Sequence, residues 1–105
     1  MQPDAAVSAG LGGLRKVAAY AELRHKRFAP HHGGSGPGVA AHLQLVATCP
    51  NASYIELLQE PPALPVETFQ GLITEPLTPN ADGDVLLPDK PGLGVELDTS
   101  WERVA

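Results

Sequence analysis

The stretch RFAPHHGGSGPGVAAHLQLVATCPNASYIELL, residues 27–58, decides the fold. Arg27, Phe28 and Ala29 make a short extended run that Pro30 stops, because the residue before a proline is pushed towards β geometry. A helix follows: Ser35 or Gly36 can cap it, Pro37 suits its first turn, and Val39, Leu43 and Val46 fall on one face. Cys49-Pro50-Asn51 ends that helix, and the β-rich run Ser53–Leu58 comes next. Strand, helix, strand is the unit that joins two parallel strands, since a parallel pair needs a long crossover.

The same alternation extends upstream. Leu14, Val17, Ala18 and Ala21 recur at helical spacing, with Arg15, Lys16, Glu22 and Arg24 on the opposite face. The basic run Arg24-His25-Lys26-Arg27 reads as that helix's last turn, where cations suit the dipole. Met1–Asp4 then reads as the tail of a strand. The order strand, helix, strand, helix, strand predicts α/β architecture with parallel strands. Three parallel strands with two crossover helices leave both sheet edges open, so the expected form is an incomplete part of a larger α/β protein such as a (β/α)-barrel. Past Pro61 the character changes. Prolines punctuate the chain, Asp82-Gly83 offers a tight turn before VLLPD, and PGLGVELD reads as a short strand. Thr99–Val104 reads as a terminal helical turn, with Trp101 as a packing anchor.

Composition narrows the function classes. Seven Lys and Arg against twelve Asp and Glu give a net charge of −5, so no electrostatic footprint for nucleic acid is expected. No apolar stretch reaches the roughly 18 residues of a membrane span. The single Cys49 precludes an internal disulfide framework, and MQPDAAVSAG carries no secretory pattern, which together predict a cytoplasmic protein. The sequon Asn51-Ala52-Ser53 is then accidental.

The candidate chemistry stands at the strand ends. His31 lies 27 residues beyond Asp4, and Glu56 lies 25 beyond His31. A barrel of eight units spends about 31 residues on each, so an acid, an imidazole and a second acid fall at the C-terminal ends of successive strands, where barrel enzymes keep their active sites. A carboxylate beside an imidazole fixes its tautomer and raises its basicity, so Asp4 and His31 could form an acid/base pair. Glu56 could face a substrate carboxylate or enolate if protonated or screened. Ordinary solvated strand ends are the plainer alternative. GGSGPG lacks the Lys-Ser/Thr ending of a P-loop and the spacing of a dinucleotide fingerprint, although its glycines would let backbone N–H groups approach an anion. Zinc at His31 and His32 is disfavoured because adjacent side chains diverge. His25 and His42 read as structural or exposed. The run Thr78, Asn80, Asp82, Gly83 and Asp89 echoes a calcium loop but reads better as a turn.

Taken together, the QPD at Gln2–Asp4, the helix GGLRKVAAYAE, the APH at Ala29–His31, the PN followed by Glu56 and the segment DGDVLLPDKPGLGVELD resemble the mandelate racemase and acid-sugar dehydratase branch of the enolase superfamily. The resemblance implies the C-terminal part of an enolase-type (β/α)-barrel. Residues 1–60 would be its last βα units, and residues 61–105 a segment returning towards the capping domain. It implies that Asp4 and His31 are the catalytic dyad and that Glu56 contacts an acid-sugar substrate, with His32 and Glu60 ranked below their neighbours. It further implies Mg²⁺, whose ligands lie on strands absent here, and a homo-oligomer in full-length relatives. The expected activity is dehydration of a sugar acid, with a racemase or epimerase, or a non-catalytic truncated remnant, as alternatives. The 105-residue chain alone is expected to be inactive.

Overall fold

The computed structural model describes residues 1–32 and 34–100. Its elements are α1 (Gly10–Leu23), α2 (Gly36–Val46) and the single turn α3 (Val66–Phe69). Helix α1 turns Leu14, Ala18 and Ala21 inward, as the spacing requires, while Val17 is only half-buried. It begins before Gly12 and ends at Leu23, directly before the basic run. Arg24 is the C-cap, and His25 (φ 53°) takes the left-handed conformation beyond it. His25 N–H donates to the Glu22 carbonyl (2.9 Å) and Lys26 N–H to that of Ala21 (2.8 Å), the paired bonds of a Schellman ending. Arg24–Arg27 therefore lie past the helix rather than on its last turn.

In α2, Ser35 is the N-cap without a side-chain cap bond, and Pro37 sits in the first turn as expected. Val39, Ala40, His42, Leu43 and Leu45 are buried, a face wider than the stripe read from the sequence, and Val46 is only half-buried. Leu14, Ala18, Phe28, Leu45 and Cys49 close into one core between the two helices and the extended segments. Dispersion and apolar burial hold this unit together.

The expected strands run side by side without forming a regular ladder among the described residues. Ala29 N–H donates to the Met1 carbonyl (3.1 Å) and His31 N–H to that of Pro3 (3.2 Å), while Phe28 N–H donates to Asn51 on the other side (3.1 Å). With the Met1 amino group donating in return to the Arg27 carbonyl (2.9 Å), these are rungs of a parallel pairing with residues 27–31 in the middle. The return rung to Ala29 would need an N–H at residue 3, and the next rung towards the third segment would need one at residue 30. Both are prolines, which have none to give. Ser53–Leu58 accordingly stays extended but is not a regular strand.

Beyond Pro61 the chain is held by local bonds. Asn80 Oδ1 accepts the N–H groups of Asp82 (2.9 Å) and Asp84 (2.9 Å), and Gly83 (φ 86°) completes the tight turn expected at Asp82-Gly83. PGLGVELD makes a single antiparallel bridge, Ile73 with Leu97, instead of a strand. Gln70, fully buried, ties this segment together: its amide nitrogen donates to the Leu77 carbonyl (2.7 Å) and its Oε1 accepts Leu77 N–H (2.7 Å). Thr99 and Ser100 form a helical turn, whereas Trp101 and the rest of the expected terminal turn lie outside the described residues.

Candidate active site

Asp4 stands where the first extended segment turns away from the sheet. Its carbonyl accepts Ser8 N–H (3.0 Å) and its Oδ1 accepts Ala6 N–H (2.7 Å), so the carboxylate is buried and fixed to its own turn. Three imidazoles surround it. His31 Nδ1 lies 3.8 Å from Oδ2, with 54% of its side chain exposed. His32 Nδ1 lies 3.8 Å from the same oxygen but is buried. His42 Nε2, reaching from the middle of α2, lies 3.7 Å from Oδ1 and is also buried. These separations exceed a direct hydrogen bond, and the exposed His31 ring is the one free to close the gap.

Each buried ring is anchored through one nitrogen. His32 Nε2 donates to the Ser35 carbonyl (2.9 Å), because a carbonyl can only accept. His42 Nε2 accepts Ala5 N–H (2.8 Å), which places its proton on Nδ1. The Nδ1 atoms of both rings are buried with no hydrogen-bond partner among the described residues. The rings meet edge to face at 5.0 Å between centroids, and Phe69 covers His32 at 5.6 Å. Burial, then the neighbouring His32, pushes the His42 imidazole below its ordinary pKa; Asp4 opposes the shift and His31 adds slightly to it.

The glycine-rich turn is a seat for His32. A Cβ on Gly34 would come within 2.8 Å of the His32 ring, and one on Gly38 would collide with it. Gly36 N–H is taken by the Gly71 carbonyl (3.2 Å), so it is turned to the protein and not to the anion expected from the sequence. Glu56 joins the site through the backbone: His32 N–H donates to its Oε2 (3.1 Å), and the rest of its side chain is exposed. Asp4 and His31 are thus brought side by side, and Glu56 reaches the backbone of the next residue, His32. Glu60 is exposed and pairs only its backbone, with Leu64. His32 and His42 are the members that sequence reasoning ranked low or set aside. The one available signal for His42 was an imidazole inside the apolar run Val39–Val46.

The family model described as Enolase C-terminal domain-like matches residues 1–101. This chain belongs to the enolase C-terminal domain-like family. The D-galactarolactone cycloisomerase of Agrobacterium fabrum is 33% identical to it over 105 residues, covering 92% of this chain and 26% of the relative. Among solved structures, an enolase superfamily member from Polaromonas sp. JS666 matches with a TM-score of 0.82 at 30% identity, covering 94% of this chain and 25% of the other. The mandelate racemase/muconate lactonizing enzyme from Sulfitobacter sp. matches with a TM-score of 0.72 at 30% identity, covering 90% of this chain and 22% of the other. The chain spans about a quarter of the length of these relatives and corresponds to the C-terminal part of an incomplete barrel.

Enolase superfamily members use Mg²⁺, a hard cation that takes oxygen ligands in octahedral geometry. Among the described residues the one candidate metal group is Asp4, His32 and His42, whose ligand atoms lie within 4.8 Å of one another. One carboxylate and two imidazoles do not fit Mg²⁺. They do not make a ready site for a softer metal either, since the lone pair of His42 Nε2 already holds Ala5 N–H.

Proposed function

We propose that this chain carries the acid/base half of an acid-sugar dehydratase active site. The observation that carries the reading is the pairing of a buried, turn-fixed Asp4 carboxylate with the exposed ring of His31. Nδ1 faces Asp4, so Nε2 is the nitrogen presented to a substrate. Asp4 holds the ring as the Nδ1–H tautomer and stabilises the imidazolium formed when Nε2 takes the proton α to a substrate carboxylate. The same imidazolium then returns a proton to the departing β-hydroxyl, which leaves as water and gives an enol that tautomerises to the 2-keto acid. Glu56, held at Oε2 by His32 N–H, faces the substrate from the third segment. Residues 1–60 act as the last βα units of the barrel, and residues 61–105 return towards a capping domain.

The curated relative is a cycloisomerase, and a solved relative is described as a mandelate racemase/muconate lactonizing enzyme, which supports a second outcome of the same proton step. In that reading His31 removes or returns an α-proton and no hydroxyl leaves. The experiment incubates candidate sugar acids in deuterated water with protein competent for the reaction, following deuterium at the α-carbon and 2-keto acid together. Keto acid formation lost in Asp4→Asn and His31→Asn supports the dehydratase. Exchange without keto acid gives the racemase or epimerase instead. Neither product from the chain alone is the expected result, because no step of Mg²⁺ chemistry can be assigned to its described residues.

A further inference from the structure

We propose that His42 is a positioning residue for the acid Asp4, acting as a neutral hydrogen-bond acceptor for the backbone that presents the carboxylate. The inference deepens the reading of Asp4 as half of an acid/base dyad and rests on it for its catalytic meaning.

The argument begins with the N–H of Ala5. In the parallel pairing of the first two segments, the rung after His31 N–H to Pro3 would run from Ala5 N–H to the His31 carbonyl. The chain instead turns at Asp4, and the N–H is drawn out of the sheet. A half-buried donor in that position needs an acceptor. His42 supplies it from α2, through Nε2 at 2.8 Å. The next N–H, of Ala6, closes on Asp4 Oδ1 at 2.7 Å. Of two successive donors, Ala6 N–H closes on the carboxylate itself, while Ala5 N–H is held by His42, whose Nε2 lies 3.7 Å from the same Oδ1 and fixes the backbone beside it. Oδ2 is thereby turned to His31 and His32.

Chemistry constrains the side chain at this position. An acceptor is required, so an imidazolium would both drop Ala5 N–H and set a cation against Asp4. The groups facing His42 are Asp4 on the first segment and His31 and His32 on the second, and burial opposes its charging. Its Nδ1 has no hydrogen-bond partner among the described residues although His42 is fully buried, so an apolar side chain packed there would leave Ala5 N–H as the one donor stripped of its acceptor. What leucine lacks is the lone pair.

The test compares the 105-residue chain with His42→Leu and His42→Gln by amide hydrogen exchange and ¹⁵N NMR. Glutamine offers a carbonyl oxygen near the position of Nε2. Wild type should show an unprotonated Nε2 at neutral pH. In His42→Leu the amides of both Ala5 and Ala6 should exchange at least tenfold faster, with the amides of Leu43–Ala47 unchanged, and His42→Gln should restore both. Acidification should release the same two amides in wild type and not in His42→Gln. A protonated Nε2, an unaffected Ala6 amide in His42→Leu, or equal loss in the two variants would overturn the proposal. If His42→Leu unfolds, the wild-type Nε2 signal and the acid release of Ala5 still decide it. The functional reading fails separately: in protein competent for the reaction, an Asp4→Asn variant that exchanges substrate α-protons as fast as wild type would end it without touching the amide result.

Discussion

The two halves of this chain solve the same problem differently. Residues up to 58 bury Leu14, Ala18, Phe28, Val39, Leu43, Leu45 and Cys49 between two helices and three extended segments. Residues from 59 onwards bury little beyond Phe69, Gln70 and Ile73, and leave Leu86 and Leu97 70% and 64% exposed. The first half is organised by apolar packing and the second by local hydrogen bonds at turns, of which Asn80 and Gln70 are the centres. The site sits on the packed half, where buried neighbours can hold a carboxylate in place. Phe69, which covers the His32 ring, links the halves, as do the bonds from Gly36 N–H to the Gly71 carbonyl and from the Gln44 amide to the Leu93 carbonyl.

Substitutions test that contrast. The largest effect is expected at the site: in protein competent for the reaction, Asp4→Asn should lower α-proton exchange by about 10²–10⁴-fold, the usual worth of general acid/base catalysis. The amide oxygen can still accept Ala6 N–H, so the thermal midpoint should barely move. Next comes the core. Phe28→Ala should cost about 3–5 kcal/mol in urea unfolding, because a fully buried ring leaves a cavity. A loss below 1 kcal/mol would mean that the packed half is not packed.

The third prediction concerns pH. The folded-state pKa of His42 lies below its ordinary value of 6.5, so the unfolded chain binds this proton more readily. The stability it supports is complete above about pH 6.5 and is lost as pH falls through that value towards the folded pKa, with a slope of up to about 1.4 kcal/mol per pH unit. His42→Gln should remove this contribution, measured as urea midpoints from pH 7.5 to 4.5. The smallest effect belongs to the second half: Leu86→Ser should shift stability by no more than about 0.5 kcal/mol. A larger loss would show that the second half has a core of its own.

Much of the first half was legible before any coordinates. The helical spacing of Leu14, Ala18 and Ala21, the proline within the first turn of α2, and the near-equal gaps from Asp4 to His31 to Glu56 are all local or periodic signals; in the structure His31 stands beside Asp4, and Glu56 accepts the N–H of the neighbouring His32. The end of α1 was misplaced because a left-handed His25 closes it, a conformation more often left to glycine. The strands were over-read because β propensity says nothing about whether Pro3 and Pro30 will fall on the donor positions of a ladder. The glycine run was read as a place for an anion because sequence shows which backbone is free to approach something, but not what it approaches.

The sequence by itself determined the alternation of helices and extended segments and put an acid, an imidazole and an acid at comparable points along it. Periodicity and chain length suffice for that. Only the tertiary structure decided that Asp4 answers to three histidines, that the exposed one is His31, and that His42 gives its lone pair to Ala5. Those contacts join residues up to 38 positions apart, and nothing local in the chain records them.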